Sequence, residues 1–429
     1  MGNVAAKQLA FGGSVGADGL KLPMLKRPLW NTIVQILGKV VMVGISLITT
    51  SWLTRKLGVS VYGNYILITS VFVFLDSLAD FGSRIIGVRE MSQEDGEEKK
   101  GKMWNQIVWM RLLTTLVAFV VGLVVIGIYG GFKDVQTEAF LALVMIFFTS
   151  IAGSLEVVWQ VKLKMEAKVL VEMLFPLLFL IGLSRWSADI NLVLVFGGYL
   201  AARIITLGLG VVLVKKEIKI EKWEGIKKST VIKLLKETWP MGVYLLVFTS
   251  YDRAVDSIMI QRFVGIREVA WYGLAYKIYS TLLQPAYFFV SSIFPLLSGN
   301  NVNKRKLFKI SLGLLGATLV ISIPILYVLA PTMVTILAGQ GYEATVNVLR
   351  VLLAAMIFAY VNHLIGFSLI SKNGQKEMLV LGMTSLLVNI LGNLYAIPRY
   401  GIMGAAVVTV LTEAWSCLVV GRALWKKTG

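Results

Sequence analysis

Residues 239–299 read WPMGVYLLVFTSYDRAVDSIMIQRFVGIREVAWYGLAYKIYSTLLQPAYFFVSSIFPLLSG, and this stretch decides the fold. Two apolar segments flank a short turn, which predicts a hairpin of two membrane-spanning helices. The first helix carries Asp252, Arg253 and Asp256, and the second carries Lys277. A charge near the centre of a bilayer costs about 3 kcal/mol on insertion scales, so these residues need partners, water or a function.

A similar hairpin occurs earlier in the chain, at residues 30–83. The two stretches share a Trp, a Gly and a Tyr-Gly pair at comparable spacings: Trp30, Gly58 and Tyr62-Gly63 in the first, and Trp239, Gly265 and Tyr272-Gly273 in the second. We interpret the pair as a duplicated hairpin that opens each half of the chain. Internal repeats are common in transporters, whose binding sites lie between the repeats.

The composition is that of an integral membrane protein. Of the 429 residues, 57% are hydrophobic and 15% are charged, whereas a soluble protein carries about 25% charged residues. Cys417 is the only cysteine and His363 the only histidine. This excludes an internal disulfide and argues against a structural zinc site, a Cys–His nucleophile pair and a Ser–His–Asp triad.

Hydropathy predicts an all-α fold with twelve transmembrane helices. The spans lie at about 30–53, 62–83, 104–129, 138–160, 168–184, 190–214, 239–262, 269–297, 309–330, 343–371, 376–397 and 401–424. Prolines are expected to bend the eighth span.

The predicted domains are an N-terminal arm at 1–29, an N-lobe at 30–214, a basic linker at 215–238 and a C-lobe at 239–429. The linker is either solvated or an interfacial helix on anionic lipid, and its scattered Ile and Trp residues favour the helix.

The charge distribution predicts the orientation. Counted with the adjoining helix ends, the segments on the side of the N-terminus carry 29 Lys and Arg residues, and the loops on the other side carry 7. Basic residues concentrate on the cytoplasmic side, so both termini are expected there. The net charge of +18 therefore reflects membrane topology and not nucleic-acid binding.

Three stretches resemble the polysaccharide and oligosaccharide-lipid flippases of the multidrug/oligosaccharidyl-lipid/polysaccharide exporter superfamily. They are LGVSVYGNYILITSVFVFLDSLADFG at 57–82, YDRAVDSIMIQRFVG at 251–265 with WYGLAYKIYSTLLQP and FPLLSG after it, and NGQKEMLVLGMTSLLVNILGNLYAIPRYGIMGAAVVTVLTE at 373–413. They occur in the family's order and cover both halves of the chain.

The resemblance implies two pseudo-symmetric six-helix lobes around a central cavity. It also implies transport of an undecaprenyl-diphosphate-linked oligosaccharide from the cytoplasmic to the outer leaflet by alternating access. The lipid II branch typically has two further C-terminal helices, and a chain of twelve helices favours the polysaccharide branch. The expected location is the plasma membrane of a bacterium or archaeon.

Four basic residues are candidates for contacting the anionic substrate: Lys39, Arg253, Lys277 and Arg203. The first three lie in spans one, seven and eight, which line the cavity if the repeat holds. A diphosphate needs cationic donors, and these are strong in a low-dielectric cavity. The alternative for Arg253 and Lys277 is neutralisation by the two aspartates of span seven. Lys277 can also extend its amine towards the outer surface.

A second set of residues suits a coupling cation. Asp252 and Asp256 are four residues apart in span seven, as are Asn389 and Asn393 in span eleven, and Thr409 lies in span twelve. Carboxylate, amide and hydroxyl oxygens are the ligands that hard cations prefer. The lipid II branch has a monovalent-cation site on the seventh, eleventh and twelfth helices, so the resemblance implies Na⁺ or H⁺ here. The alternative is ordinary hydrogen bonding between helices.

Asp76, Asp80 and Arg84 recur every four residues at the inner end of span two. They are interpreted as an inner gate or a structural charge ladder, in which Arg84 neutralises Asp80. Arg111 is expected near the inner end of its span, at the membrane interface.

Two further polar residues lie within the C-terminal spans. Glu413 in span twelve is either a proton carrier or a paired structural acid, and His363 in span ten is expected to be a hydrogen-bonded packing residue.

The sequence therefore predicts a non-enzymatic flippase, expected to be a monomer, whose partners are the lipid-linked oligosaccharide and membrane lipids. No cofactor is expected beyond a coupling Na⁺ or H⁺. A cation-coupled multidrug exporter of the same fold is the main alternative. A polysaccharide polymerase or ligase is disfavoured because all predicted outside loops are short. No Walker A motif is present, since Gly38-Lys39 and Gly101-Lys102 are followed by Val and Met.

Overall fold

The computed structural model describes residues 22–185, 190–218, 225–250, 254–298, 303–372 and 374–427. Within these ranges the chain forms thirteen α-helices and one 3-10 turn, and no strand. The all-α fold predicted from hydropathy is confirmed. The helices are α1 Leu22–Asp80, α2 Ser83–Gln93, α3 Glu97–Ile128, α4 Gln136–Val161, α5 Met165–Arg185, α6 Leu192–Lys215, α7 Lys228–Thr249, α8 Val255–Phe263, α9 Ile266–Leu282, α10 Gln284–Ser298, α11 Lys304–Ala338, α12 Glu343–Ile370 and α13 Gln375–Lys426.

Two of the helices contain a sharp internal break, and each holds two predicted spans. The break in α1 lies at Gly58 (φ 72°, ψ 169°), and the break in α13 lies at Gly401 (φ 58°, ψ −143°). Glycine adopts a positive φ without the steric cost of a Cβ. Spans one and two, and spans eleven and twelve, are therefore joined through one glycine each.

Residues of the hairpin at 239–299 belong to four of these helices, and residues 251–253, between two of them, lie outside the described residues. Span seven comprises α7 and α8, and span eight comprises α9 and α10, which are separated at Leu283. This interruption lies two residues before Pro285, whose ring has no N–H to donate to the preceding turn. The helix interruption in span eight thus lies next to the first of its prolines, and the expected bend stays a prediction.

Eight of the described helical segments are long and apolar enough to cross a bilayer. They include the two with glycine breaks, each of which holds two predicted spans; that spans seven and eight also cross the bilayer stays a prediction. The chain is a multi-pass membrane protein, and its helices are consistent with twelve spans.

The chain divides into two compact units. The described residues of the C-unit fall within Thr50–Leu67 and Ser250–Gly429, and those of the N-unit within residues 12–49 and 68–249. The bounds of these two units differ from the predicted bounds of the N-lobe and the C-lobe. The two lobes themselves stay a prediction. The turn of the first hairpin belongs to the C-unit, and α7 belongs to the N-unit.

In the N-unit, α4 packs against α3, α5 and α6, and α2 packs against α3, α4 and α7. Its core includes Trp104 and Trp159. Three residues of the predicted linker, Ile218, Val231 and Leu234, are buried in the same core. The described end of the linker is the first part of α7, which continues into span seven; its position at the membrane interface stays a prediction.

In the C-unit, α12 lies at the centre and contacts α9, α10, α11 and α13, while α8 packs against α9 and α13. The turn of the first hairpin packs closely on the second. A Cβ at Gly63 would lie 2.1 Å from the carbonyl oxygen of Ile266, and one at Gly273 would lie 2.6 Å from the side chain of Ile66. These glycines therefore permit the close approach of the two hairpin turns.

Candidate functional site

A buried carboxylate lies at the centre of a polar cluster in the C-unit. Asp256, at the start of α8, is 1% exposed. The hydroxyl of Tyr272 on α9 donates a hydrogen bond to Asp256 Oδ2, and it lies 3.0 Å from Thr409 Oγ1 on α13. Three helices thus meet at one acid, because α8 packs against both α9 and α13.

Two asparagines complete this cluster, which we call the Asp256 cluster. Asn393 Nδ2 donates to Asp256 Oδ1 at 2.7 Å, and Asn389 Nδ2 lies 3.3 Å from the same oxygen. The asparagines precede the Gly401 break of α13 and Thr409 follows it, so the break brings both parts of this helix to Asp256. The structure therefore brings together four of the five predicted cation-site residues, and Asp252 lies outside the described residues.

The Asp256 cluster has the donor set that a small hard cation requires. Asn389 Oδ1 and Asn393 Oδ1 are buried and have no hydrogen-bond donor among the described residues. Buried polar atoms are rarely left without a partner. Rotation of each amide would exchange its nitrogen and oxygen and turn two carbonyl oxygens towards Asp256. Carboxylate, amide and hydroxyl oxygens would then lie close together, and these are the ligands that Na⁺ prefers. The same amide oxygens could instead accept a hydrogen bond from a protonated Asp256.

The N-unit contains a separate network of charged residues around Asp80, of which Asp80 and Arg111 are buried. Arg84 Nε lies 2.8 Å from Asp80 Oδ1, and its two terminal nitrogens lie 3.8 Å from Asp76 Oδ2 and 3.4 Å from Glu156 Oε2. Arg111 Nη1 lies 2.6 Å from Asp80 Oδ1. We call this set the Asp80 network; it is extended by Thr149, which donates to Asp76, and by Lys168, which lies near Glu156 and Glu172.

The Asp80 network lies at a break in the chain. Phe81 (φ 41°) and Gly82 (φ 77°) separate α1 from α2, so Asp80 and Arg84 belong to two helices and not to one ladder. Arg111 is 1% exposed, so its side chain is buried in the N-unit; its expected position near the membrane interface stays a prediction. The predicted gate residues are brought together, while their role as a gate stays a prediction.

The predicted substrate-binding residues are distributed over both units. Lys39 is exposed on α1 of the N-unit, and Lys277 is half-buried on α9 of the C-unit. Arg203 on α6 lies over the ring of Phe175, with its guanidinium carbon 4.0 Å from the ring centroid. Arg253 lies outside the described residues. Their part in substrate binding stays a prediction.

Two residues of the C-unit add detail that sequence analysis left open. Asn362 Nδ2 donates to Glu413 Oε2 at 2.7 Å and to the Glu413 carbonyl at 2.9 Å, so this acid has a structural partner. His363 packs edge-on against Tyr287, and its Nε2 has no hydrogen-bond partner among the described residues. The expected packing is present, whereas the expected hydrogen bond of Nε2 is not found in this part of the chain.

Tyr272 and Arg111 are among the members of these clusters that sequence analysis did not place there. Tyr272 was used only as a marker of the repeat, yet its hydroxyl bonds directly to Asp256. Tyr272 occupies the position in the second hairpin that Tyr62 occupies in the first. This repetition is the signal in the sequence that could have identified it. Arg111 lies in a predicted span without an acid within one helical turn, and this isolation could have indicated a partner on another helix.

Comparison with known proteins places the chain in a family. A family model described as "Polysaccharide biosynthesis protein" matches residues 29–301. None of the curated proteins matches the chain.

Solved structures with similar folds are transporters. One is described as lipid II flippase MurJ in an inward closed conformation; it is 16% identical, with 92% of this chain and 87% of that chain covered and a TM-score of 0.73. An inward-facing multidrug resistance MATE family transporter of the MOP superfamily is 12% identical, with 93% and 100% covered and a TM-score of 0.73. The MATE multidrug transporter DinF-BH, solved as a complex, is 16% identical, with 96% and 98% covered and a TM-score of 0.66.

At these identities the solved structures establish the fold that the chain shares with this group of transporters. The family assignment rests on the sequence match, which covers more than half of the chain. The matched residues include Asp256 and the Asp80 network. The chain belongs to the polysaccharide biosynthesis protein family.

Proposed function

We propose that the chain is a flippase that moves an undecaprenyl-diphosphate-linked oligosaccharide from the cytoplasmic to the outer leaflet of a bacterial plasma membrane. The observation that carries this proposal is the family match, together with a fold shared with a lipid II flippase. The headgroup crosses inside the protein while the polyprenyl chain remains in lipid. No catalytic step is part of this function.

The Asp256 cluster is proposed as the coupling site. A buried aspartate with amide and hydroxyl neighbours exchanges between a form that binds Na⁺ or H⁺ and a form that is hydrogen-bonded by the asparagines. Coupling requires that the ion binds one conformation of the carrier more tightly than the other. The cluster supports this because its ligands come from three helices and from both sides of the Gly401 break.

The membrane potential acts in the same direction as the proposed transport. The cell interior is negative, so outward movement of an anionic diphosphate is favoured by about 2.3 kcal/mol per charge per 100 mV. A cation that enters while the empty carrier returns would reset the cycle.

A cation-coupled multidrug exporter is the second candidate, because MATE transporters share the fold over nearly the whole chain. The two functions differ in the cargo. A dye exporter moves a cationic or neutral amphiphile, whereas the proposed flippase moves a lipid that bears a diphosphate.

Reconstitution in proteoliposomes distinguishes these candidates. Vesicles loaded with an undecaprenyl-diphosphate oligosaccharide are sampled with a membrane-impermeant glycosidase, and parallel vesicles are tested for transport of the cationic dye ethidium. We expect protein-dependent exposure of the oligosaccharide and no dye transport above empty vesicles. Dye transport without oligosaccharide movement would replace the flippase by the exporter, and polymerised or transferred sugar would indicate an enzyme.

The same assay tests Lys39 as a headgroup contact. Its neighbours one helical turn away are Gln35, Ile36, Met42 and Val43, so no acid lies within reach on its own helix. Lys39→Gln is expected to reduce flipping at unchanged thermal stability, and Lys39→Arg to retain activity. Full flipping by a stable Lys39→Gln variant would remove this residue from the substrate site.

A further inference from the structure

A cavity of about 660 Å³ lies within the C-unit, apart from the Asp256 cluster. It is lined by the first turn of α11, the last turn of α12 and the last turns of α13. Its size is within the range of small-molecule sites in proteins. Three basic residues, Lys304, Arg305 and Lys372, are part of its lining.

The positive charge of this cavity is not balanced by acids. Among the described residues, no carboxylate pairs with Lys304, Arg305 or Lys372. Glu377 lies close to Lys372 in sequence, but it binds Lys427 at 2.9 Å. An anion in the cavity would therefore meet three cationic side chains without competition from an internal partner.

The start of α11 adds to this attraction. Helices favour acids in their first turn because the free N–H groups there carry partial positive charge. The α11 helix instead begins with Lys304, Arg305 and Lys306, and the side chain of Asn303 caps the N–H of Lys306. This arrangement is unfavourable by itself and becomes favourable when a phosphate lies beside it.

The rest of the cavity wall is apolar. Phe308, Ile365 and Leu424 line it and belong to one hydrophobic cluster of the C-unit. Trp425 lies at the cavity and is 74% exposed, as is typical of aromatic residues at a membrane–water interface. A basic opening next to an apolar wall matches a ligand that has both a phosphate and a hydrocarbon chain.

We propose that this cavity binds one molecule of an anionic glycerophospholipid from the cytoplasmic leaflet. Lys304, Arg305 and Lys372 hold its phosphate, and the apolar wall holds the first part of an acyl chain. The unbalanced cations favour an anionic lipid over a zwitterionic one, and the apolar wall favours a lipid over free phosphate. Because the binding residues come from α11, α12 and α13, the lipid links three helices of the C-unit. This site does not depend on the proposed cargo.

Native mass spectrometry of the purified full-length protein tests this site. The protein is stripped of lipid in a nonionic detergent and titrated with palmitoyl-oleoyl phosphatidylglycerol or with phosphatidylcholine of the same chains. We expect one phosphatidylglycerol molecule to bind at least about tenfold more tightly than phosphatidylcholine and to raise the melting temperature. The triple variant Lys304→Gln, Arg305→Gln, Lys372→Gln is expected to lose about fivefold in affinity per charge removed.

A matched control separates this site from general charge attraction. Lys306 and Lys309 lie in the first turns of α11 and Lys376 lies four residues after Lys372; none of the three lines the cavity, and all are exposed. Their triple Gln variant removes the same charge and is expected to bind phosphatidylglycerol within about twofold of wild type. An equal loss in both triple variants would overturn the proposal.

A second variant tests the apolar part without changing charge. A Cβ at Gly421 would have only one neighbour within 4 Å, Ile365 Cδ1 at 3.9 Å, so Gly421→Leu extends into the cavity. We expect this variant to fold and to lose phosphatidylglycerol binding. Equal binding of the two phospholipids, equal stabilisation by inorganic phosphate, or preferential binding of undecaprenyl phosphate would each contradict the assignment to an anionic glycerophospholipid.

Discussion

At the scale of single residues, Asp256 is the group on which the proposed coupling depends. It is buried and receives hydrogen bonds from Tyr272 and Asn393. If the cluster binds Na⁺, wild-type protein is more stable in NaCl than in choline chloride at equal ionic strength. Asp256→Asn removes the charge and is expected to abolish the difference, and Asn393→Ala and Thr409→Ala each to reduce it. Scanning calorimetry or fluorescence melting of the detergent-purified variants measures this effect.

The control for this prediction lies on the same helix. Ser385 is one turn before Asn389, and it is hydrogen-bonded to Ser416 at 2.9 Å without touching Asp256. Ser385→Ala removes a buried polar group but is expected to keep the full response to Na⁺. If wild-type protein melts at the same temperature in both salts, and a Na⁺ gradient leaves transport unchanged, the cluster is not a sodium site.

Arg111 gives a prediction about stability. It pairs with Asp80 at 2.6 Å, and its Nε donates to the carbonyl of Ser150 at 2.9 Å. Removing one member of a buried pair costs about 3–5 kcal/mol when the other is left without compensation; Arg84 still pairs with Asp80, so this range is the upper limit for Arg111. Arg111→Met is therefore expected to lower the melting temperature strongly, and addition of Asp80→Asn should recover part of the loss.

Arg399→Gln is the control, because this arginine is exposed. It should leave the melting temperature nearly unchanged. If Arg111→Met is as stable as this control, the Asp80 network does not contribute to the stability of the N-unit.

The sequence predicts those cluster members that lie one turn apart on the same helix. Asn389 and Asn393 share a helix face, so the sequence identifies them as a pair. The position of Tyr272 beside Asp256 depends on the packing of α8 on α9, and no periodicity within one helix contains that information. The same holds for Arg111, whose partner Asp80 lies 31 residues earlier on another helix.

At the scale of elements, α7 packs closely on the Phe81–Gly82 break because it has a small residue, Gly242, at the contact. A Cβ on Gly242 would lie 2.6 Å from the ring of Phe81. Gly242→Ala is therefore expected to destabilise the N-unit by about 1–3 kcal/mol through overpacking. The double variant with Phe81→Leu removes the ring and should regain stability. Thermal melting of both variants measures this coupling.

Gly44→Ala provides the control for this contact. Gly44 is also helical, but a Cβ there would have no neighbour within 4 Å, and alanine favours a helix over glycine by up to about 1 kcal/mol. It should be neutral or stabilising. A Gly242→Ala protein as stable as wild type would mean that the ring of Phe81 moves aside without cost.

The sequence predicted the apolar spans well and their ends less well. The sequence suggested loops between spans one and two and between spans eleven and twelve, whereas one glycine with positive φ redirects the chain in each case. Hydropathy reports how long an apolar segment is, but backbone conformation at Gly58 or Gly401 depends on what the turn packs against. The linker illustrates the same limit, because its Leu234 is buried in a core to which α2 and α3 contribute.

At the scale of the whole molecule, the distribution of Lys and Arg predicts one orientation in the membrane. Residues 215–238 contain eight lysines, whereas residues 130–135 contain one. Moving many positive charges across a membrane that is negative inside is unfavourable, so the first of these segments is expected to be cytoplasmic. The proposed direction of flipping and the assignment of the phospholipid cavity to the cytoplasmic leaflet both require this orientation.

Reporter fusions measure the orientation directly. Suitable sites are the segments between helices at Lys164, Gly225, Gly130 and Gln340, where an insertion interrupts little regular structure. Green fluorescent protein is expected to fluoresce after Lys164 and Gly225, and alkaline phosphatase to be active at Gly130 and Gln340. Each site carries both reporters in turn, so that a poorly expressed fusion is recognised by the loss of both signals. Phosphatase activity after Gly225 would place eight lysines outside and reverse the topology, and with it the proposed direction of transport.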